Sequence, residues 1–224
     1  MTGATPLLSR VVVADDHPMF RAALLHALSG LVAPGGVAEV ASRSALEAVV
    51  VAGPAPELVL LDLAMPGAYG FSSLVWLRSE RPEVPVLVVS SNDHPGTLQR
   101  AQQFGAAGFV SKAAPAQDLR RAVCAVMAGD TWFDAVPADT SGSDARLAER
   151  LAQLTPQQLR VLMLIADGLL NKQIAAELGL STNTVKIHVT AILAKLQCRS
   201  RTQAAVLLKS LDLDADAEDT GTGV

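Results

Sequence analysis

Residues 58–67 read LVLLDLAMPG. Four apolar residues run without a break, Asp62 follows shortly behind them, and Pro66 with Gly67 make a turn. The run is too short for a helix and does not alternate with polar residues. It therefore predicts a strand buried on both faces, the condition of a parallel sheet. The same kind of text recurs on either side. Short, mostly β-branched runs stand at 11–13, 37–40, 86–89 and 109–110, and segments with helical spacing lie among them at 20–28, 45–51, 72–77, 98–104 and 119–127. Gly30, Gly105 and Gly129 fall where helices should stop. Five strand–helix units predict a doubly wound α/β domain with a five-stranded parallel sheet, whose ligands gather at the carboxyl ends of the strands.

The chain has 224 residues, half of them apolar. At about 150 residues per domain that length allows one large domain or two small ones. The apolar share argues against disorder, no uncharged apolar run approaches the ~18 residues of a membrane span, and the opening MTGATPLLSR lacks the pattern of a secretory signal. Cys124 and Cys198 stand far apart, which fits neither a disulfide framework nor a zinc site. The expectation is a cytoplasmic protein without a membrane partner. The net charge of −4 is unevenly spread. Residues 150–210 hold eight basic and two acidic side chains, residues 1–149 ten basic and fifteen acidic, and residues 211–224 five acidic and no basic ones. A basic segment in an acidic chain points to a polyanion-binding module joined to something else.

Five polar groups fall at the carboxyl edge of the expected sheet: Asp15 and Asp16 after the first strand, Asp62 after the third, Ser90 ending the fourth and Lys112 after the fifth. A lone aspartate after a strand is usually a cap or turn residue. Five complementary groups at four strand ends are not explained that way. Three carboxylates together repel one another unless a cation sits among them, and an all-oxygen set with few protein ligands suits Mg²⁺. A carboxylate beside Mg²⁺, a lysine and a hydroxyl has the parts to accept a phosphoryl group as an acyl phosphate. Asp62 is the candidate nucleophile, Asp15 and Asp16 the metal holders, Lys112 the partner of the phosphoryl oxygens and Ser90 a hydrogen-bond donor to one of them. His17, His26 and His94 show no ligand spacing.

ADDHPMFRAAL (14–24), LLDLAMPG (60–67), the turn at Ser90 and GFVSK (108–112) resemble, in order and spacing, the receiver domain of two-component response regulators over roughly residues 9–130. The resemblance implies a flavodoxin-like fold and phosphorylation of Asp62 by a sensor histidine kinase. It also implies that Ser90 and the aromatic Phe109 swing inward to report the phosphoryl group, and that the backbone carbonyl of Ala64 completes the Mg²⁺ shell. Ala113 stands where many receivers carry proline. Tyr69 replaces the frequent Asp or Asn of the turn, and is expected to be a surface variation. Ala64 and Asn92 occupy positions that tune dephosphorylation in the family.

Residues 172–196 read KQIAAELGLSTNTVKIHVTAILAKL. One helix ends before Gly179, and a second begins with Ser181 as its cap. Ala175 is small where two helices cross, and Ile174, Leu178, Leu180 and Val185 are placed to pack between them, which is a helix-turn-helix pattern. With Val185, Val189, Ile192 and Leu196 inward, Thr184, Lys186, Ile187 and Thr190 face outward, suited to phosphates and base edges. Lys172 and Lys195 are candidates for further phosphate contacts, and His188 either touches backbone or packs. Ahead of these, Thr155, Pro156, Gln157 and Gln158 form a capping box.

The stretch from about 150 to 208 resembles the four-helix DNA-binding domain of LuxR/NarL-type regulators, with Lys186 and Ile187 on base-reading positions and the last helix, with Ala204, Ala205, Val206 and Leu208, on the dimer surface. Thr190 departs from a basic residue, Gln157 and Gln158 from Arg-Glu, and Leu170 from a small cap, leaving Asn171 as the expected cap.

The whole reads as a NarL/FixJ-type regulator: receiver 1–130, linker 131–149, helix-turn-helix domain 150–210 and a disordered acidic tail 211–224. Its expected partners are a histidine kinase, an inverted repeat in double-stranded promoter DNA and, on activation, a second copy of the chain. The alternative is a DNA-binding regulator whose receiver works independently of phosphorylation. An aspartyl-phosphate phosphatase would want an acid at Ala64, and a small-molecule sensor would want a ligand cavity in place of the acids.

Overall fold

Five strands, β1 (Val11–Ala14), β2 (Val37–Val40), β3 (Leu58–Leu61), β4 (Val86–Ser90) and β5 (Gly108–Ser111), pair in parallel in the order β2-β1-β3-β4-β5. They are seen in a computed structural model that describes residues 8–134 and 142–212. The start of the chain, linker residues 135–141 and the acidic tail from 213 onward lie outside the described residues.

Side-chain alternation divides the sheet between two layers of helices. Val11, Val13, Leu58, Leu60, Leu87, Val89 and Val110 face α1 (Pro18–Leu28) and α5 (Ala116–Met127). Val12, Ala14, Val59, Leu61, Val86, Val88 and Phe109 face α2 (Arg43–Ala52), α3 (Ser72–Glu80) and α4 (Pro95–Gln103). Each fully buried Val or Leu contributes roughly 1.5–3 kcal/mol. The strands of β1, β3 and β4 are buried throughout, whereas edge strand β2 exposes Glu39. Parallel strands covered on both faces are what the unbroken apolar runs predict.

The helical part comprises α6 (Gly142–Ala152), α7 (Pro156–Ala166), α8 (Asn171–Leu178), α9 (Thr182–Leu196) and α10 (Arg201–Lys209). The capping box at Thr155 forms, with Gln158 as its second member. Ser181 accepts from the Thr184 N–H, and Gly179 ends α8 at φ +64°. Among the described residues, no helix is long and apolar enough to cross a membrane.

Four expectations are corrected. First, α6 begins within the segment read as linker, where polar text conceals Leu147 and Ala148 packed against the core, and runs on to Leu151 in the segment read as the helical domain. Second, Trp132 and Phe133 are not free linker either. Trp132 bridges to Gly108, and its carbonyl accepts from Phe109 N–H at 2.7 Å. Third, α8 is capped at Leu170, whose N–H is satisfied by Gln173 Oε1 at 2.7 Å. Asn171 lies inside the helix and accepts from Arg201 Nη1 instead. Fourth, Leu211, read as the start of the tail, is fully buried. The core on the α2, α3 and α4 side continues without a break into α6, α7, α9 and α10.

A Cβ at Gly108 would lie 2.8 Å from Trp132 O and 2.9 Å from Trp132 Cβ. Gly108→Ala should therefore push Trp132 off β5 and lower stability by about 1–3 kcal/mol, read by urea unfolding together with a red-shifted tryptophan emission.

Candidate functional site

Ladder hydrogen bonds continue past the strand ends and fix the groups that follow. Asp15 N–H donates to Val40 O, Asp62 N–H to Ala14 O at 2.8 Å, and Lys112 N–H to Ser90 O at 2.8 Å. Asp62 therefore stands beside Asp15, and Lys112 beside Ser90, at the carboxyl edge. Asp15, Asp62 and Ser90 are buried, whereas Asp16 is half-buried.

Lys112 Nζ lies 2.7 Å from Asp15 Oδ2 and 2.7 Å from Asp62 Oδ2. Burial pushes the lysine's pKa down. Hydrogen bonds from its ammonium to Asp15 and Asp62, with their charges, outweigh that and hold it above its ordinary value. Asp62 Oδ1 accepts from Ala64 N–H at 3.2 Å, a local turn that sets Ala64 next to the acid. Asp15 Oδ1 likewise accepts from His17 N–H at 2.8 Å. His17, which no spacing marked, joins the acids: its Nδ1 is 2.8 Å from Asp16 Oδ1, 3.4 Å from Asp15 Oδ1 and 4.0 Å from Asp62 Oδ2. Its adjacency to two strand-end aspartates was the signal.

Asp15, Asp16, His17 and Asp62 each offer a ligand atom within 4.8 Å of the others. Three of the four donors are carboxylate oxygens, hard ligands that fit Mg²⁺. Ser90 Oγ accepts from Asn92 N–H at 3.2 Å, and Asn92 Oδ1 accepts from Thr97 Oγ1 at 2.9 Å, which ties the end of β4 to α4. Phe109 is already buried among the α4-side core residues.

In the helix-turn-helix, Ile174, Ala175, Val185, Ile192 and Leu196 are buried. Lys172, Lys186 and Thr190 are exposed, and Ile187 is 61% exposed, so one uninterrupted face looks to solvent. Thr184 is half-buried and its hydroxyl shares a hydrogen bond with Ser181, while Thr190 Oγ1 donates to Lys186 O. Lys195 is not on that face. Its Nζ donates to Gln153 O at 2.9 Å and to Gln158 Oε1 at 2.7 Å, holding α9 to α6 and α7. Burial raises the Cys198 thiol, which therefore stays protonated at neutral pH.

Between the two parts runs a polar seam that no local pattern marked. Tyr69 is not a surface variation: its hydroxyl donates to Asp167 Oδ1 at 2.8 Å, and its ring lies under Lys209 Nζ at 5.7 Å. Arg43 approaches Asp167 at 3.8 Å and Arg160 approaches Glu80 at 3.7 Å. Glu47 is pushed up by burial, with Arg43 and Arg160 pulling it back.

Comparison with known proteins bears on both parts. The model of the response regulator receiver domain matches residues 11–124, and that of the luxR family of bacterial regulatory proteins matches residues 152–208. The glycerol metabolism activator of Pseudomonas putida is 33% identical over 215 residues, covering 92% of this chain and 97% of that protein. The nitrate/nitrite response regulator protein NarL of Escherichia coli (strain K12) is 33% identical over 202 residues, covering 88% and 93%. A structure of Salmonella typhimurium RcsB response regulator shares the fold, with a TM-score of 0.51 at 24% identity over 92% of this chain and 99% of that one. A receiver with an acidic strand-edge cleft is thus joined to a helix-turn-helix. The chain belongs to the response regulators that couple a receiver domain to a LuxR-type DNA-binding domain.

The chain has one tyrosine, so phenolate absorbance reports Tyr69 alone. Burial, then the hydrogen bond to the Asp167 carboxylate, raises it from 10.0 to about 12. A raised acid binds its proton more tightly in the folded state, so this contact stabilises fully below pH 10 and is lost as pH rises toward 12. Rapid-mixing titration should give a midpoint near 12 in the folded chain, and Asp167→Ala should move it toward 10 while burial retains part of the shift.

Proposed function

We propose that this chain is a phosphorylation-controlled transcriptional regulator, acting in the cytoplasm and not itself an enzyme toward other substrates. Its phosphoryl donor is a sensor histidine kinase. A carboxylate oxygen of Asp62 attacks phosphorus, the P–O bond of an acyl phosphate forms, and the bond to the donor's imidazole nitrogen breaks as the imidazole leaves. Mg²⁺, when bound, supplies the charge neutralisation that brings the anionic donor beside Asp62. Asp15, Asp16, Asp62 and the Ala64 carbonyl are the groups that would hold it. Lys112 moves its ammonium from the carboxylates to the phosphoryl oxygens, and Ser90 turns its hydroxyl from the Asn92 amide toward the same group. Phe109 follows Ser90 as the second switch residue.

The observation that carries this reading is one ammonium held 2.7 Å from two buried carboxylates at the strand edge. A purely structural ion pair needs one acid. Here a third, Asp16, stands with the same cluster.

On the effector side, α9 enters the major groove, with Lys186 and Ile187 at base edges and Lys172, Thr184 and Thr190 toward the backbone. Pairing of two copies through α10 would set two such helices about one DNA turn, ~34 Å, apart on an inverted repeat. The receiver occupies about residues 1–130, and the DNA-binding unit includes α6.

Asp62→Asn should abolish acyl-phosphate labelling by a phosphoryl donor with Mg²⁺ while leaving the unfolding transition in place; labelling that persists moves the acceptor elsewhere. Lys186→Ala should weaken promoter binding and relax discrimination at the base pair it contacts by about 1–3 kcal/mol, whereas Lys172→Ala should reduce the slope of log affinity against log salt by about 0.9, both measured by fluorescence anisotropy. Undiminished discrimination in Lys186→Ala removes Lys186 from the base edges, and an unchanged slope in Lys172→Ala removes Lys172 from the phosphate backbone.

A further inference from the structure

The segment that leaves α10 is inserted into the receiver. Leu211 is fully buried, and its carbonyl accepts from Phe71 N–H at 3.1 Å. Arg100 on α4 donates through Nη2 to Ser210 O at 2.7 Å and through Nη1 to Asp212 O at 3.5 Å. Its guanidinium also stacks on the Phe71 ring at 4.9 Å and approaches Asp144 at 3.7 Å. The other wall of the socket is backbone. A Cβ at Gly70, at φ +43°, would lie 2.1 Å from Leu211 O and 2.9 Å from Asp212 Cα, so the approach requires glycine. A buried arginine donating to Ser210 O at the C-cap of α10 and to Asp212 O just beyond it is a specific fastening made to backbone carbonyls.

Both walls lead back to the acidic cleft. The loop bearing Gly70 and Phe71 starts at Asp62 itself, whose carboxylate accepts from Ala64 N–H. It is braced by Ala68 N–H to Met65 O and by Arg43 N–H to Pro66 O. On the other side Ser90 Oγ accepts from Asn92 N–H, Asn92 Oδ1 accepts from the fully buried Thr97, and Thr97 lies three residues before Arg100 on α4. A Ser90 hydroxyl that turns to a phosphoryl group leaves the Asn92 amide without its acceptor, at the base of the helix that carries Arg100. In the docked arrangement, meanwhile, Lys186, Ile187 and Thr190 face solvent, so the receiver does not cover α9.

We propose that Gly70, Phe71 and Arg100 form a latch on residues 210–212, the segment that leaves α10, opened through Ser90, Asn92 and Thr97 when Asp62 is phosphorylated, and that the receiver thereby governs α10 while leaving α9 free to meet DNA. The trigger rests on the phosphorylation reading above; the latch itself does not. Val206, 62% exposed on α10, lies four residues before Ser210, so releasing residues 210–212 changes the setting of the face that pairing would use.

The test is hydrogen–deuterium exchange of the full chain, with intact mass reporting the phosphoryl adduct and with binding of a half-site duplex measured in parallel. In the wild type with acetyl phosphate and Mg²⁺, peptides covering 204–212 should exchange about tenfold faster or more once the adduct is seen. Arg100→Ala should show that fast exchange without phosphoryl donor, and Gly70→Ala should do so by a different chemical route, with the receiver's strand amides still protected. Thr97→Val should take up the adduct yet keep residues 204–212 slow. Half-site affinity of Arg100→Ala should stay within about twofold of wild type.

Slow exchange at 204–212 in both Arg100→Ala and Gly70→Ala overturns the latch. An adduct on the wild type with no change there overturns its trigger, as does release in Thr97→Val equal to wild type. A gain of about tenfold in half-site affinity for Arg100→Ala means that the receiver was hiding α9, and overturns the assignment to α10. If no adduct forms at all, the phosphorylation reading fails, and the Arg100→Ala and Gly70→Ala arms still decide the latch.

Discussion

Three carboxylates converge at one edge of a sheet, and a single ammonium stands between two of them. Asp15 and Asp62 are nearly excluded from water, so each ionised oxygen there must find a partner or the fold loses stability. Lys112 serves both at 2.7 Å, but one positive charge does not balance three negative ones. The remaining negative charge suits the cleft to a divalent cation, and the proposed phosphoryl chemistry rests on that fit. The ladder bonds that carry Asp62 beside Asp15 and Lys112 beside Ser90 hold this arrangement in place, so the electrostatic demand is met by backbone pairing and not by flexible loops.

The rest of the molecule is built so that a change in that balance has somewhere to go. The α2, α3 and α4 layer shares one apolar core with the effector helices, while α1 and α5 cover the opposite face of the sheet with a core of their own. A shift of α4 or of the loop after Asp62 is therefore felt by the effector, and a shift of α1 is not felt directly. One phosphoryl group has limited leverage: moving a two-state equilibrium from about 1% to about 99% takes roughly 5.5 kcal/mol. Polar contacts along the seam, such as Tyr69 with Asp167 and Arg100 with the Ser210 carbonyl, are individually modest beside the shared apolar core.

Much of this was readable from the chain. Parallel strands announce themselves as unbroken apolar runs because both faces are covered, and Asp15, Asp62 and Lys112 were placed by standing directly after such runs. The cap at Ser181 and the left-handed Gly179 were likewise local facts. What escaped reading is non-local. Tyr69 meets a partner 98 residues away and Arg100 one 110 residues away, and nothing near either residue reports that. The helix α6 hid in polar text because its apolar residues serve the interface between parts and not a core of its own. Lys195 had the right charge for DNA, but Gln153 and Gln158 captured it.

The proposed chemistry depends on a divalent cation held by the carboxylate cluster. Calorimetric titration of the full chain with Mg²⁺ tests it most directly. A single site is expected, weakened by about tenfold or more in Asp16→Asn, where one ligand charge is removed at the half-buried rim of the cluster. An Asp16→Asn isotherm indistinguishable from wild type, or no Mg²⁺ uptake in either, would contradict it.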